Sequence, residues 1–313
     1  LTAAEAAEGT DTNALLTLNA DVSGATITLN SADGATQTGG KVTGTALILQ
    51  GTLTGAQAYS LTSATNDMSA IGASVNGGAI TYVDANALNL GTGTTGVVSG
   101  NKPIDISTVN GVLTVVNAVV AGDDVDAGTS TVSLTAGDTT GIDNALIINA
   151  AASVKGTGGA TLIADHMNIV GTVNAGASTA TLRQDDNGTA IKLGGIIVDA
   201  TAATLELADS ELDNVTAGTI QVGNTNSGAV TVSNAISVGS SLSVNSGSTI
   251  AVNAAISGTG AASISLDGTG VTTLAANITT EGDAITISDN VILAANTVTL
   301  DTTANANPAG ANV

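Results

Sequence analysis

AVTVSNAISVGSSLSVNSGSTIAVNAAISGTGAASISLDGTGVTTLAANITTEGDAITISDNVILAANTVTL, residues 229–300, decides the fold. Short triplets recur along it: Val230-Thr-Val232, Ile236-Ser-Val238, Leu242-Ser-Val244, Ile250-Ala-Val252, Ile264-Ser-Leu266, Ile285-Thr-Ile287 and Val298-Thr-Leu300. Each sets two branched aliphatics two residues apart around a small residue, the period of a half-buried strand. The triplets sort into three interleaved series. Val230, Ile250, Val271 and Val291 are one; Ile236, Ile256, Ile278 and Val298 another; Leu242, Ile264 and Ile285 the third. The common step is about 21 residues, so the chain passes through three strands per turn. That pattern predicts an all-β chain folded as a parallel β-helix, a solenoid whose rungs stack on one another.

The corners sort as the strands do. Asn234, Asn253, Asn277 and Asn296 lie between the first and second series, and Gly239, Gly258, Gly260 and Gly282 between the second and third. Asparagine tolerates a left-handed bend and can bond along a stack, so the four asparagines read as a structural corner ladder.

Outward from this stretch the same grammar reaches Leu16-Thr-Leu18, through Ile27-Thr-Leu29, Tyr59-Ser-Leu61, Ile80-Thr-Tyr82, Leu113-Thr-Val115 and Leu205-Glu-Leu207. Pro103 is tolerable at a strand start. Leu1 to Gly9 reads either as one or two helical turns capped by Thr2 or as an irregular half-rung. Residues 119–129 read as an irregular acidic loop, and Asp209 to Asp213 as a bulged corner or a helical turn. No linker divides the chain, so residues 1–313 read as one continuous rod. At about 21 residues per rung it allows roughly 15 rungs and, at ~4.8 Å per strand, a length of about 70 Å.

Composition agrees. Of 313 residues none is Phe, Trp or Cys, and the only aromatics are Tyr59 and Tyr82. A core of stacked Val, Ile, Leu and Ala does without the large rings that fill an irregular interior. The formal net charge of −21 disfavours nucleic acid and anionic membrane surfaces as partners, since no phosphate-neutralising patch or stacking aromatics exist. No run of 18 apolar residues is present, so no membrane-spanning helix is expected. The chain starts at Leu1 without a basic leader and stops at Val313 where another strand is due. Both ends read as cut from something longer, or processed.

Several stretches resemble the strand repeats of large bacterial surface exoproteins of the filamentous haemagglutinin type. They are residues 47–52, Thr65-Asn-Asp67, residues 80–88, Gly171-Thr-Val-Asn-Ala-Gly176, residues 212–219, residues 282–286 and Val298-Thr-Leu-Asp301. The resemblance implies a right-handed β-helix at the bacterial cell surface or in the medium, commonly exported by two-partner secretion or autotransport. It implies roles in adhesion, aggregation or matrix, with a host or neighbouring cell surface as partner. The secretion module and C-terminal barrel of that family have no counterpart in this sequence.

Candidate chemistry is sparse. Asp123, Asp124 and Asp126, with Asp138 and Asp143 downstream, are a candidate Ca²⁺ site, because calcium takes several oxygen ligands from flexible acidic loops. The competing reading is a solvated loop, and the tandem nonapeptide of calcium-binding β-rolls is absent. Asp185-Asp186-Asn187-Gly188 reads as a turn, with calcium as the alternative. Glu206, Asp209, Glu211 and Asp213 are the densest carboxylates, the pairing a polysaccharide hydrolase needs, yet the sugar-stacking aromatics are missing. His166 is the only histidine and reads as structural. Gly91-Thr-Gly-Thr-Thr-Gly96 imitates a phosphate loop without its lysine or helix. No catalytic residue and no cofactor other than calcium is expected. The leading reading is a non-enzymatic rod of a surface fibre, sheath or adhesin that self-associates head to tail; a passive stalk and a polysaccharide-active enzyme are the alternatives.

Overall fold

The computed structural model describes residues 2–3, 15–51, 57–122, 130–139, 144–195, 203–304 and 310–313. It is a β-solenoid of about 12 turns with roughly 22 residues per turn. Every strand pairing among the described residues is parallel, and only the isolated bridges Thr92–Thr95 and Glu281–Thr303 are antiparallel.

One face is a single twelve-stranded sheet from Leu16–Leu18 to Ile285–Ile287. Its pairings stack Tyr59 on Ile80, Ile104 on Ile80, Ile104 on Val132, and Leu242, Ile264 and Ile285 on one another. The intervening residues of each strand point outward and are small and polar, as in the column Thr161, Thr181, Gln221, Ser243, Ser265, Thr286. Strict alternation fixes this register, because a slip of one residue would turn every aliphatic out to solvent. At ~4.8 Å per strand the twelve strands span about 55 Å. The rod is shorter than fifteen rungs because some turns are long: Ile104 to Val132 and Val132 to Ala160 each advance the chain well beyond 22 residues.

The other two faces change along the rod. In the first turns the strands Val22–Ser31, Val42–Gln50 and Asp67–Ser74 are long and cover both. From Asp67–Ser74 the sheet branches, one arm through Leu88–Leu90 and the other through Val97–Val98. Both tyrosines lie in this part of the core, fully buried. Their hydroxyls need partners there and find them: Tyr59 donates to the Gln50 carbonyl and Tyr82 to the Asp84 carboxylate at 2.7 Å. In the last third a six-stranded and a four-stranded sheet take over the two faces.

The solenoid and its three faces match the sequence pattern, with four differences of detail. Thr2–Ala3 is a strand paired with Asn30 and Ser31, so no helix begins at Thr2. The third member of the first series is Thr272, which pairs with Ile250 and Val291 in place of Val271. Its methyl fills the core while its hydroxyl donates to Asp289 at 2.6 Å, which lets a threonine occupy an aliphatic position. The last member of the second series is Leu300, opposite Ile278, in place of Val298. Val119–Val120, placed by the sequence pattern in the irregular loop, form a strand between Val97–Val98 and Val154–Lys155.

Candidate functional site

Among the described residues the largest break in the regular stacking falls between Thr179 and Val238. On the long sheet Ala180 is directly followed by Ile220, a step of 40 residues where roughly 22 is normal. The surplus chain makes one additional strand on one face only. Ala190–Gly195 leaves the long sheet and pairs with Val230–Val232 of the next rung. The chain then returns to lay Thr204–Ala208 parallel to Ala190–Gly195 on its other edge, against His166–Ile169. Two strands thus lie between His166–Ile169 and Val230–Val232, where the long sheet has one between its corresponding strands. The third face also has one, Val215–Thr216, paired with Thr172–Asn174.

An insertion on one face pries the stack apart on another. Val215–Thr216 ends the branched sheet and Ile236–Val238 begins the four-stranded one, and no ladder joins them. Between them lies a cleft of about 380 Å³ lined by Leu212, Asp213, Val215, Thr216, Ser237, Gly239, Ser240 and Thr259. Only the long sheet crosses this seam without interruption.

The helix Asp209–Asp213 sits at the break, and its acids replace the lost ladder bonds. Glu211, buried, accepts the N–H of Ile169 at 2.9 Å and that of Ala208 at 2.8 Å. Asp209 accepts the N–H of Ser237 at 2.7 Å, and the Ser240 hydroxyl accepts the N–H of Ala217 at 3.3 Å. Asn214 donates to the Ile169 carbonyl at 2.8 Å. Glu206, also buried, is paired with Lys192 at 2.9 Å. A backbone N–H at a sheet edge costs free energy if it is buried without an acceptor, and a carboxylate is a strong one. Asp213 lines the cleft on its exposed side; partial loss of hydration there, with the nearby Asp209 charge, raises its carboxyl above the ordinary aspartate range. The densest carboxylate set in the sequence is therefore gathered at one place. Three of its four members are held to backbone or lysine rather than facing each other as an acid and a base.

The other sequence candidates scatter. Asp123, Asp124, Asp126 and Asp143 lie outside the described residues. Asp185 to Gly188 form a turn in which Asp165 accepts the N–H groups of Asp185 and Asp186 at 3.1 and 3.2 Å. Asp185 in turn accepts the N–H of Asp138 at 3.1 Å. Burial raises the carboxyls of both Asp165 and Asp185. Among the described residues no group of three or more acids or histidines is placed to hold a metal ion. His166 opens the strand His166–Ile169, opposite Ala145. Gly91 to Gly96 is a tight turn whose Gly93 carbonyl accepts from Asn117.

The corner asparagines do not stack residue on residue. Val232, Val252, Leu274 and Leu293 are in register, yet Asn253 directly follows Val252 while Asn234 is second after Val232 and Asn277 third after Leu274. They bond the backbone instead: Asn234 donates to the Gly194 carbonyl at 2.6 Å, and Asn277 accepts the N–H of Thr299 at 2.8 Å.

Sequence reading found the acids of the seam but not their role. The signal was present in the spacing, since no aliphatic triplet returns to the long sheet between Ala180 and Ile220. No family model, curated protein or solved structure matches this chain.

Proposed function

We propose that this chain is a non-enzymatic structural rod, a segment of a bacterial surface fibre, sheath or adhesin outside the cell, that associates end to end with further copies. The observation that carries the reading is the strand Val291–Leu293. It pairs with Thr272–Leu274 along one edge and closes the six-stranded sheet, and all three of its aliphatic side chains are exposed, Leu293 by 63 %. Val291 and Leu293 continue the inward columns of Thr272 and Leu274, so the core itself opens there. A further rung laid on this edge would satisfy backbone and side chains together. A head-to-tail contact of that kind is heterologous and propagates as a filament.

Two further points support a structural role. Three of the four acids that would serve a hydrolase are held by backbone N–H groups or by Lys192, and the repeat style resembles that of surface exoproteins. Sedimentation and electron microscopy test the reading. Rods that lengthen with protein concentration, and shorten to single units on Leu293→Lys, are the expected result. Monodisperse single rods at all concentrations would leave a passive stalk with its binding tip elsewhere. Release of reducing or unsaturated sugar ends from a polysaccharide would overturn the non-enzymatic reading.

A further inference from the structure

The seam leaves two strand edges that no ladder joins. One face carries two strands across the interval in which the third face carries only Val215–Thr216. The two strands that border the cleft are each paired on one side, Val215–Thr216 with Thr172–Asn174 and Ile236–Val238 with Ile256–Gly258. In Ile236–Val238 the N–H of Ile236 donates to Ala255 of the next rung, so the N–H of Ser237 faces the opposite way, into the seam. There a side-chain carboxylate, that of Asp209, stands where a neighbouring strand would supply a carbonyl.

We propose that this cleft accepts a short extended peptide strand from a basic partner protein, by strand addition between Val215–Thr216 and Ile236–Val238. The lining is hydroxyl and backbone rather than a deep apolar pocket, which suits main-chain recognition with small side chains. Its volume of about 380 Å³ limits the inserted segment to a few residues, and the strands of this face are themselves two or three residues long. Charge selects the partner. Asp213 lines the cleft and Asp209 flanks it, and no lining residue is cationic, so the local field favours a cationic segment. A lysine or arginine next to the inserted strand would sit against these carboxylates.

The test is a backbone-amide NMR titration of the intact chain with the blocked peptide Ac-TVTKV-NH2. Two companion peptides carry proline at the central threonine or glutamate at the lysine. Shifts are expected at Thr216, Ser237, Gly239 and Ser240. The proline peptide, lacking the central N–H, is expected to bind at least about tenfold more weakly. The glutamate peptide should weaken about fivefold or more, and Asp213→Asn should remove most of that difference. Absence of shifts at about 5 mM peptide, a binding free energy weaker than about −3 kcal/mol, would overturn the proposal. Equal binding of the proline peptide would do the same. Concentration-dependent shifts of the same amides without peptide would assign the seam to self-pairing and sink the partner reading.

Discussion

Glu211 and Ile169 are 42 residues apart in the chain and 2.9 Å apart in the fold, a side-chain carboxylate accepting a main-chain N–H across the seam of the solenoid. The second oxygen of the same carboxylate takes the N–H of Ala208. One side chain thus does for two strands what a ladder does elsewhere, and it is buried while doing so. Glu211→Ala would leave two buried N–H groups without acceptors. The expected loss is about 2–4 kcal/mol in urea unfolding, with Glu211→Gln intermediate because its amide offers one acceptor. A loss under about 0.5 kcal/mol, within the range of an ordinary surface change, would mean the carboxylate does not hold the seam.

Lys192 and Glu206 join the additional strand to its neighbour. Glu206 is buried, whereas Lys192 remains 41 % exposed, so water screens one end of the pair. Lys192→Met is expected to cost about 1–2 kcal/mol, because the buried carboxylate loses its cation. The double variant Lys192→Met, Glu206→Met should recover most of that loss, since it buries no charge at all. A double-mutant cycle with zero coupling would show that the pair contributes nothing.

Ile264 is fully buried, stacked between Leu242 and Ile285 on the long sheet. Ile264→Asp puts a carboxylate into a column of aliphatics and is expected to cost about 4 kcal/mol or more, read as lost circular-dichroism signal at lower urea. Because each rung contacts mainly its neighbours, the damage should be centred on the last third of the rod, and hydrogen exchange can locate it. Normal stability of this variant would be incompatible with the register.

What the sequence made legible follows from how the solenoid is stabilised. Repetition of the same two-residue alternation is enough to place Leu242, Ile264 and Ile285, because each rung repeats the previous one's packing problem. The reading slips where a polar residue takes an aliphatic position with a private partner, as Thr272 does with Asp289. It slips again at Val298, where a corner of different length shifts the true partner to Leu300. The seam lies beyond what local residue pattern encodes. Glu206, Asp209 and Glu211 stand out in sequence as an acidic cluster, but their purpose depends on which strand edges the returning chain leaves open. That is a property of topology, and no local pattern near residue 206 encodes the edge at Ile169. The tyrosines show the same limit: the two phenol rings, in a chain with no Phe or Trp, are both buried where long strands span two faces.

Acidity should change stability in a direction that the buried acids set. Burial raises the carboxyls of Asp84, Asp165 and Asp185, and neighbouring acids add to it at each. Hydrogen bonds from the N–H groups of Met68 and Asn86 and from Tyr82 oppose the rise at Asp84 without cancelling it. A group whose native pKa lies above its unfolded value binds protons more tightly when folded. Its contribution is complete below the ordinary aspartate value of about 3.9 and is lost as pH rises through the raised native value. Asp301 works the other way, since hydrogen bonds from Thr303 lower its carboxyl. With the raised carboxyls of Asp84, Asp165 and Asp185 setting the direction, and a net charge of −21 whose self-repulsion also grows with pH, the melting temperature should fall as pH rises above about 4. Asp84→Asn should flatten part of that slope, because the amide keeps an acceptor for Met68 while removing the titrating charge. A melting temperature that instead rises steadily as pH is raised from about 4 to about 7 would show that these carboxylates are held as favourable anions, and that the closed polar corners of the rod stabilise charge rather than merely tolerate it.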